Sequence, residues 1–235
     1  MILFYTDQID GNLAELGEVE ARHCTQVLRK KVGDAISFVD GEGGFYEGMI
    51  TETGKKKCQI QIVRTFHEFH KRSFRLHVAI APTKNIARLE WFLEKATEIG
   101  IDEISLIFCQ HSERRKVRTD RLRKILISAM KQSLKAYLPI LHEPISFKQF
   151  VQTPRQVPVK LIAQGNENLS IKDNYSPKND VLILIGPEGD FSEKELRTAH
   201  ENGYQGVHLG KSRLRTETAG IVACHTLNFL NENLH

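Results

Sequence analysis

Val181-Leu182-Ile183-Leu184-Ile185 is apolar at every position and is bounded by Asp180 and Gly186. Successive side chains of a strand point to opposite faces, so an uninterrupted apolar run reads as a strand covered on both sides. A chain built around such a strand needs a layer above it and another below. The neighbouring sequence supplies them. Short apolar segments at residues 76–81, 104–109, 159–164 and 207–209 alternate with helical periods. Ile86, Leu89, Leu93, Ala96 and Ile99 form one apolar stripe, with Gly100 as its stop. Leu122, Ile125, Ala129 and Ser133 form a second, which Pro139 is expected to end. Ser192 and Glu195 have the spacing of a capping box, and Gly203 suits the position after that helix. A last helix is expected from about Glu217 to Leu230, burying Ala219, Val222, Ala223, Leu227 and Leu230. Strands alternating with helices predict an α/β domain with a parallel sheet flanked by helices.

The first seventy residues or so show a different pattern. Segments 2–5, 35–39, 45–51 and 58–66 have β character, and one helical stretch at 20–30 should place Cys24, Val27 and Leu28 together. Asp40-Gly41-Glu42-Gly43-Gly44 reads as a hairpin turn, since glycine accepts positive φ. Gly54 with Lys55, Lys56 and Lys57 reads as a second turn with a basic tip. The expected organisation is a small β-barrel over residues 1–72, then the α/β domain over 73–235, with a polar connection at 165–180.

Composition narrows the class of function. The net charge of +4 over 235 residues permits an anionic partner without demanding one. No run approaches the ~20 apolar residues of a membrane span, and Met1 to Asp7 lacks the basic and apolar regions of a secretory leader. Cys24, Cys58, Cys109 and Cys224 are widely separated, so free thiols in a reducing cytoplasm are expected rather than disulfides or a zinc ribbon. His67-Glu68-Phe69-His70 offers two imidazoles without further ligands, and no metal is expected.

Two loops carry most of the chemistry. Leu184-Ile185-Gly186-Pro187-Glu188-Gly189-Asp190-Phe191-Ser192 is strand, tight turn and capped helix, the place where open α/β sheets bind ligands. It matches neither GxGxxG nor the P-loop pattern, and it also reads as a structural turn. Leu209-Gly210-Lys211-Ser212-Arg213-Leu214-Arg215-Thr216-Glu217 repeats the arrangement. Arg213 and Arg215 suit a phosphate or carboxylate, Thr216 suits an N-cap, and the lesser reading of Arg215 with Glu217 is a structural ion pair. Arg114-Arg115-Lys116-Val117-Arg118 is the densest basic run, fit for tracking phosphates or for a solvated face. Trp91 and Phe92 read as core or subunit packing.

Together, Gly186-Pro187-Glu188-Gly189 with Phe191-Ser192, then Leu209-Gly210 and Leu214-Arg215-Thr216-Glu217-Thr218-Ala219, resemble the bacterial uridine-N3 methyltransferases of small-subunit ribosomal RNA, within the SPOUT superfamily. Lys84, Glu90-Trp91 and Lys95-Ala96-Thr97-Glu98-Ile99-Gly100 extend the likeness, as do Ser128-Ala129, Gln132-Ser133, Pro139, His23, Val27-Leu28-Arg29 and Gly33-Asp34. Asp190 stands where the family commonly has glycine, Arg213 where it has an apolar residue, and Lys131 and Lys135 where it has Glu and Arg.

The resemblance implies a PUA-like RNA-binding barrel followed by a SPOUT domain whose parallel sheet ends in a trefoil knot. It implies S-adenosylmethionine held by Ala163, Gln164, Ile185, Gly186, Pro187, Glu188, Gly189, Leu209, Gly210, Leu214, Arg215 and Thr216. It implies 16S rRNA within the small ribosomal subunit as substrate, a cytoplasmic homodimer, and no membrane association. Glu188 or Glu217 is expected to assist removal of the uridine N3 proton or to hold uracil or cofactor, and Arg215 to stabilise the uracil anion. RNA contacts are expected from Arg22, Arg29, Lys30, Arg114, Arg115, Lys116 and Lys135. The competing readings are a non-catalytic RNA-binding or ribosome-assembly factor on this fold, and a SPOUT enzyme for another RNA site.

Overall fold

The computed structural model describes residues 1–54, 56–165 and 167–232. The chain forms two compact units: residues 1–71 with 127–138, and residues 72–126 with the described chain from 139 onward.

In the first unit, β1 (Leu3–Tyr5), β2 (Ile9–Asp10), β3 (Leu13–Leu16), β4 (Ala35–Val39), β5 (Phe45–Thr53) and β6 (Cys58–Phe66) form one sheet in the order β1-β4-β5-β6-β3-β2. The sheet curls into a half-barrel. Its inner face buries Phe4, Leu16, Phe38, Ile50 and Ile60. The β4–β5 hairpin is closed by Asp40. One carboxylate oxygen accepts from the amides of Glu42 (2.7 Å) and Gly44 (2.9 Å), the other from the Tyr46 hydroxyl (2.9 Å). Gly41 and Gly43 supply the positive φ the turn requires.

The helical stretch departs from expectation. α1 (Glu18–Arg22) runs into a π-helical turn, His23–Val27. The wider turn carries one extra residue per repeat and rotates the residues beyond it. Cys24 is buried as expected, but Val27 is 66% exposed. Arg29, at φ +56°, ends the element.

Residues 127–138 also belong to this unit. They include the end of α3 (Thr119–Gln132), whose Lys131 pairs with Glu20. Met130 and Ala136 pack with Leu3, Val39 and Phe45. The helix stops at Gln132, ahead of Pro139: the Ser133 hydroxyl donates back to the Ala129 carbonyl (2.7 Å), and Leu134 turns to φ +55°.

The second unit contains β7 (Leu76–Ile80), α2 (Ile86–Ile99), β8 (Glu103–Phe108), the start of α3, β9 (Ile140–Leu141), β10 (Ile145–Ser146), α4 (Phe147–Gln152), β11 (Val159–Ala163), α5 (Ile171–Asn174), β12 (Val181–Ile185), α6 (Glu193–Glu201), β13 (Gln205–Val207) and α7 (Thr216–Glu232). The parallel sheet runs β10-β8-β7-β12-β11-β13, with β9 beside β8. β12 lies in the middle, paired from Val181–Leu76 to Ile185–Ile80. Leu182 and Leu184 pack on the side of Phe147, Phe150 and Phe191. The alternate residues face the opposite layer. All five are buried, as the uninterrupted apolar run predicts.

Two ends differ from the sequence reading. β13 ends at Val207, so residues 208–209 already belong to the loop after it. α7 leaves that loop at the sheet's edge and packs against α2 and the middle strands β7 and β12. The buried face of α7 is Gly220, Ala223, Cys224, Leu227 and Asn228, so Ala219, Val222 and Leu230 are only half-buried. Asn228 turns the helix: its amide donates to the carbonyls of Gly100 and Cys224 (both 2.8 Å), and its oxygen accepts from Arg72 (2.9 Å). The polar connection contains α5, closed by a Ser170–Asp173 capping box.

Gly220 is the tightest point of the α2–α7 contact. A Cβ there would lie 2.6 Å from the Phe92 ring and 3.1 Å from Ile80. Alanine would gain ~1 kcal/mol in helix propensity. Phe92 is fully buried and has no room to retreat, so overpacking of about 1–3 kcal/mol outweighs that gain. Gly220→Ala should lower the denaturant midpoint, measured by equilibrium unfolding.

Candidate functional site

Because the strands are parallel, β11, β12 and β13 end at the same edge of the sheet. The loops that leave them enclose a cavity of ≈ 440 Å³, within the range of small-molecule sites. Ala163, Gln164, Ile185, Gly186, Pro187, Leu209, Gly210, Leu214 and Thr216 line it, so three loops distant in sequence meet in one place. Asp190, Phe191 and Arg213 line it as well.

The loop after β12 is held from several sides. The Asp190 amide donates to the Pro187 carbonyl (3.0 Å), closing a tight turn. Asp190 itself sits at φ +57°, a left-handed conformation that glycine takes freely and aspartate tolerates. The Phe191 ring lies where a side chain at Gly186 would point: a Cβ there would meet it at 3.1 Å. His111 Nδ1 lies 2.9 Å from the Gly189 carbonyl and 3.0 Å from that of Asp190. Ser192 and Glu195 form the expected capping box, and Glu195 also accepts from the Gln110 amide (2.8 Å). In the loop after β13, Gly210 adopts φ +112°, and its amide donates to His208 Nδ1 (3.1 Å).

Glu188, Gly189, Arg215 and Glu217 do not line this cavity. Glu188 accepts from the Lys84 amide (2.9 Å). Arg114, expected on RNA, donates to the carbonyls of Thr83 (3.0 Å) and Lys84 (2.7 Å). The two charged groups thus fix the loop after β7. Thr216 is the first helical residue rather than the N-cap: the Arg215 carbonyl accepts the first helical bond from Ala219 (2.7 Å). The Arg215 side chain is exposed, between two residues that line the cavity. It does not pair with Glu217. The Glu217 side chain is 9% exposed, its Oε1 lies 3.6 Å from Arg88 Nε, and its Oε2 is buried with no hydrogen-bond partner among the described residues.

The remaining basic residues divide between the units. Arg115, exposed, donates to the Gln110 carbonyl (2.9 Å), and Lys116 is exposed beside it. Arg22, Arg29, Lys30 and Lys135 lie in the first unit. Arg22 bonds Gln26 (3.2 Å) and Lys30 the Ala35 carbonyl (3.3 Å). Lys55 is outside the described residues. Phe92 is core, whereas Trp91 is 43% exposed. The 67–70 segment is spent on packing and pairing: Phe69 stacks on Phe45 (4.5 Å), and Glu68 pairs with Lys71. His111 and Arg88 have no signal in the sequence, since each acts on a loop or helix far along the chain.

A parallel sheet whose carboxyl-end loops close on one glycine-lined cavity defines an α/β small-molecule-binding domain. An RNA methyltransferase domain model matches residues 70–228, and an RNA methyltransferase PUA domain model matches residues 16–63. The chain belongs to this RNA methyltransferase family. The ribosomal RNA small subunit methyltransferase E of Mesomycoplasma hyopneumoniae is 30% identical over 94% of this chain and 96% of its own. The solved structure described as "probable rRNA-methyltransferase from Porphyromonas gingivalis" is 41% identical, with a TM-score of 0.93 and full coverage of both chains. The ribosomal RNA small subunit methyltransferase E of Neisseria gonorrhoeae, solved bound to S-adenosyl methionine, is 27% identical over 98% of each chain, with a TM-score of 0.87.

The left-handed turn residue gives a direct check. Asp190→Gly should leave stability unchanged or raise it slightly. Asp190→Val, β-branched at the same φ, should cost roughly 1–2 kcal/mol, read by thermal or chemical unfolding.

Proposed function

We propose that this chain transfers the methyl group of S-adenosylmethionine to N3 of a uridine in small-subunit (16S) ribosomal RNA. The observation that carries the reading is the convergence of the loops at Ala163–Gln164, Ile185–Pro187 and Leu209–Thr216 on one cavity in a member of this family. The cavity fits the cofactor. Gly210, at a φ closed to other residues, and Gly186, held beside the Phe191 ring, let a nucleoside lie against bare backbone. Asp190, among the residues that line the cavity, suits a sulfonium cation. When bound, the cofactor supplies a methyl group on a positively charged sulfur.

The protein's part is to position uracil and manage its N3 proton. Base pairing hides N3, so the nucleotide enters unpaired or flipped. Arg215, exposed at the cavity's margin, stabilises the uracil anion as the proton leaves. Glu217 accepts a hydrogen bond or a proton through Oε2, a reading supported by that atom's lack of a partner among the described residues, while Arg88 lies beside its other oxygen. Glu188 acts by holding the Lys84 amide rather than as the base. Arg115 and Lys116 contact phosphates.

We place the enzyme in the cytoplasm as a homodimer. Cys24, Cys58 and Cys109 are buried thiols outside any disulfide, and burial pushes the Cys24 thiol up to about 12. Among the described residues no helix is long and apolar enough to cross a membrane. Trp91 on α2 and Phe229 on α7, helices that pack together, stay 43% and 53% exposed, which suits burial against a second copy.

Calorimetry should show the chain binding S-adenosylmethionine; no binding would favour the non-catalytic reading. Mass spectrometry of 16S rRNA from a deletion strain should show loss of one N3-methyluridine, restored by the intact gene. In single-turnover assays with cofactor saturating, Glu217→Gln and Arg215→Ala should slow methylation by about 10²-fold or more. Wild-type rates would remove those roles. Lys116→Ala should weaken RNA binding and reduce the magnitude of the salt slope by about one.

A further inference from the structure

At the opposite end of the sheet, three side chains far apart in sequence meet. His77 on β7 and Glu103, the first residue of β8, are register partners, and His142 comes directly after β9. His142 Nε2 lies 2.8 Å from Glu103 Oε2, and His77 Nδ1 lies 3.8 Å from the same oxygen. One donor atom from each residue falls within 4.8 Å of the others. We propose that His77, Glu103 and His142 form a binding site for a zinc-type transition-metal ion, independent of the cofactor cavity.

The chemistry of the three groups carries the assignment. His77 is 7% exposed at the side chain, and its Nε2 lies 2.9 Å from Ser105 Oγ. In the tautomer that donates its Nε2 proton to Ser105, Nδ1 turns a lone pair towards the Glu103 carboxylate. Two acceptors facing each other at 3.8 Å gain nothing directly; a cation between them satisfies both. Donation of the second ring nitrogen to an outer partner is also how metal-bound imidazoles are oriented. The Phe150 ring packs edge-on against His77 at 5.8 Å and fixes its plane.

The spacing fits tetrahedral zinc. Bonds of about 2.0–2.2 Å place neighbouring donors about 3.3 Å apart. The observed 2.8 and 3.8 Å to Glu103 bracket that value, and all three donors lie within 4.8 Å, so closing on one ion takes movement of the partly exposed Glu103 and His142 side chains. Two imidazoles and one carboxylate leave a fourth position for water. The ion class is set by the donors and the field. The Arg155 guanidinium, stacked on Phe150 at 4.2 Å, opposes positive charge near His77. A hard ion held mainly by charge, such as magnesium, is therefore disfavoured, while imidazole-preferring zinc, cobalt or nickel gains from coordination.

The full-length protein, stripped with chelator, should be titrated with zinc by calorimetry and with cobalt by visible absorption. One saturable equivalent is expected, with intense tetrahedral cobalt bands and a zinc-dependent rise in thermal midpoint. Glu103→Gln and His142→Ala should each abolish the bands and the rise. Ser105→Ala should weaken zinc binding about 10–100-fold. Replacing His67 and His70 together should change nothing. His142 is partly exposed, so its variant should keep the wild-type circular dichroism spectrum and remain a valid test. Absence of saturable binding, or binding untouched by the Glu103 and His142 substitutions, would overturn the proposal.

Discussion

Burial of β12 on both faces is the constraint on which the rest of the second unit depends. Five consecutive apolar residues cannot meet water on either side, so α2 and α7 cover one face and α4 and α6 the other. Parallel pairing with β7 and β11 then brings the carboxyl ends of the strands to one edge. The cavity is a consequence. Loops leaving that edge must turn back to form the covering helices, and backbone turning sharply there needs glycine or a left-handed residue at Gly210 and Asp190.

How much of this is legible in the sequence depends on whether the cause is local. The boundaries of α2, β4, β6 and β12, the hairpin at Asp40 and the Ser192 capping box rest on neighbours within a few residues, and the sequence shows them. The loops after β12 and β13 are legible because each sits at a strand end, and strand ends in a parallel sheet converge; the loop after β11 follows only from the family resemblance. What escapes depends on distant partners. Nothing near Val27 announces the π turn that exposes it. Nothing near Leu230 shows that Asn228 turns α7 to reach Gly100. β13 is three residues of an edge strand, too short for a pattern to fix its register.

The charged residues show the same division more sharply. Basic character alone points Arg114 to phosphate, yet its guanidinium is committed to two backbone carbonyls. Glu188, from the most distinctive motif in the chain, serves a neighbouring amide. Both hold the loop after β7, and neither lines the cavity. Glu217 is the reverse case. Its expected partner Arg215 is only two residues away, but on a helix such neighbours do not face each other. Arg88 from α2 takes that place and leaves Arg215 exposed. Residue type identifies which groups have chemistry to offer; only the fold decides which remain available for it.

The two ends of the sheet therefore bear different loads. At the carboxyl end, glycines and an aspartate hold strained turns open around a cavity. At the amino end, His77, Glu103 and His142 tie β7, β8 and the segment after β9 together through side chains. A five-residue strand spans about 16 Å, so a change in ligation at one end is separated from the other by the length of the buried core. Close-packed interiors resist small adjustments, and β7 and β12 are buried along their whole length. An ion at the amino end would therefore act on the free energy of the folded sheet. The geometry of the loops at Gly186 and Gly210, set by local turns and by Phe191 and His111, would stay as it is.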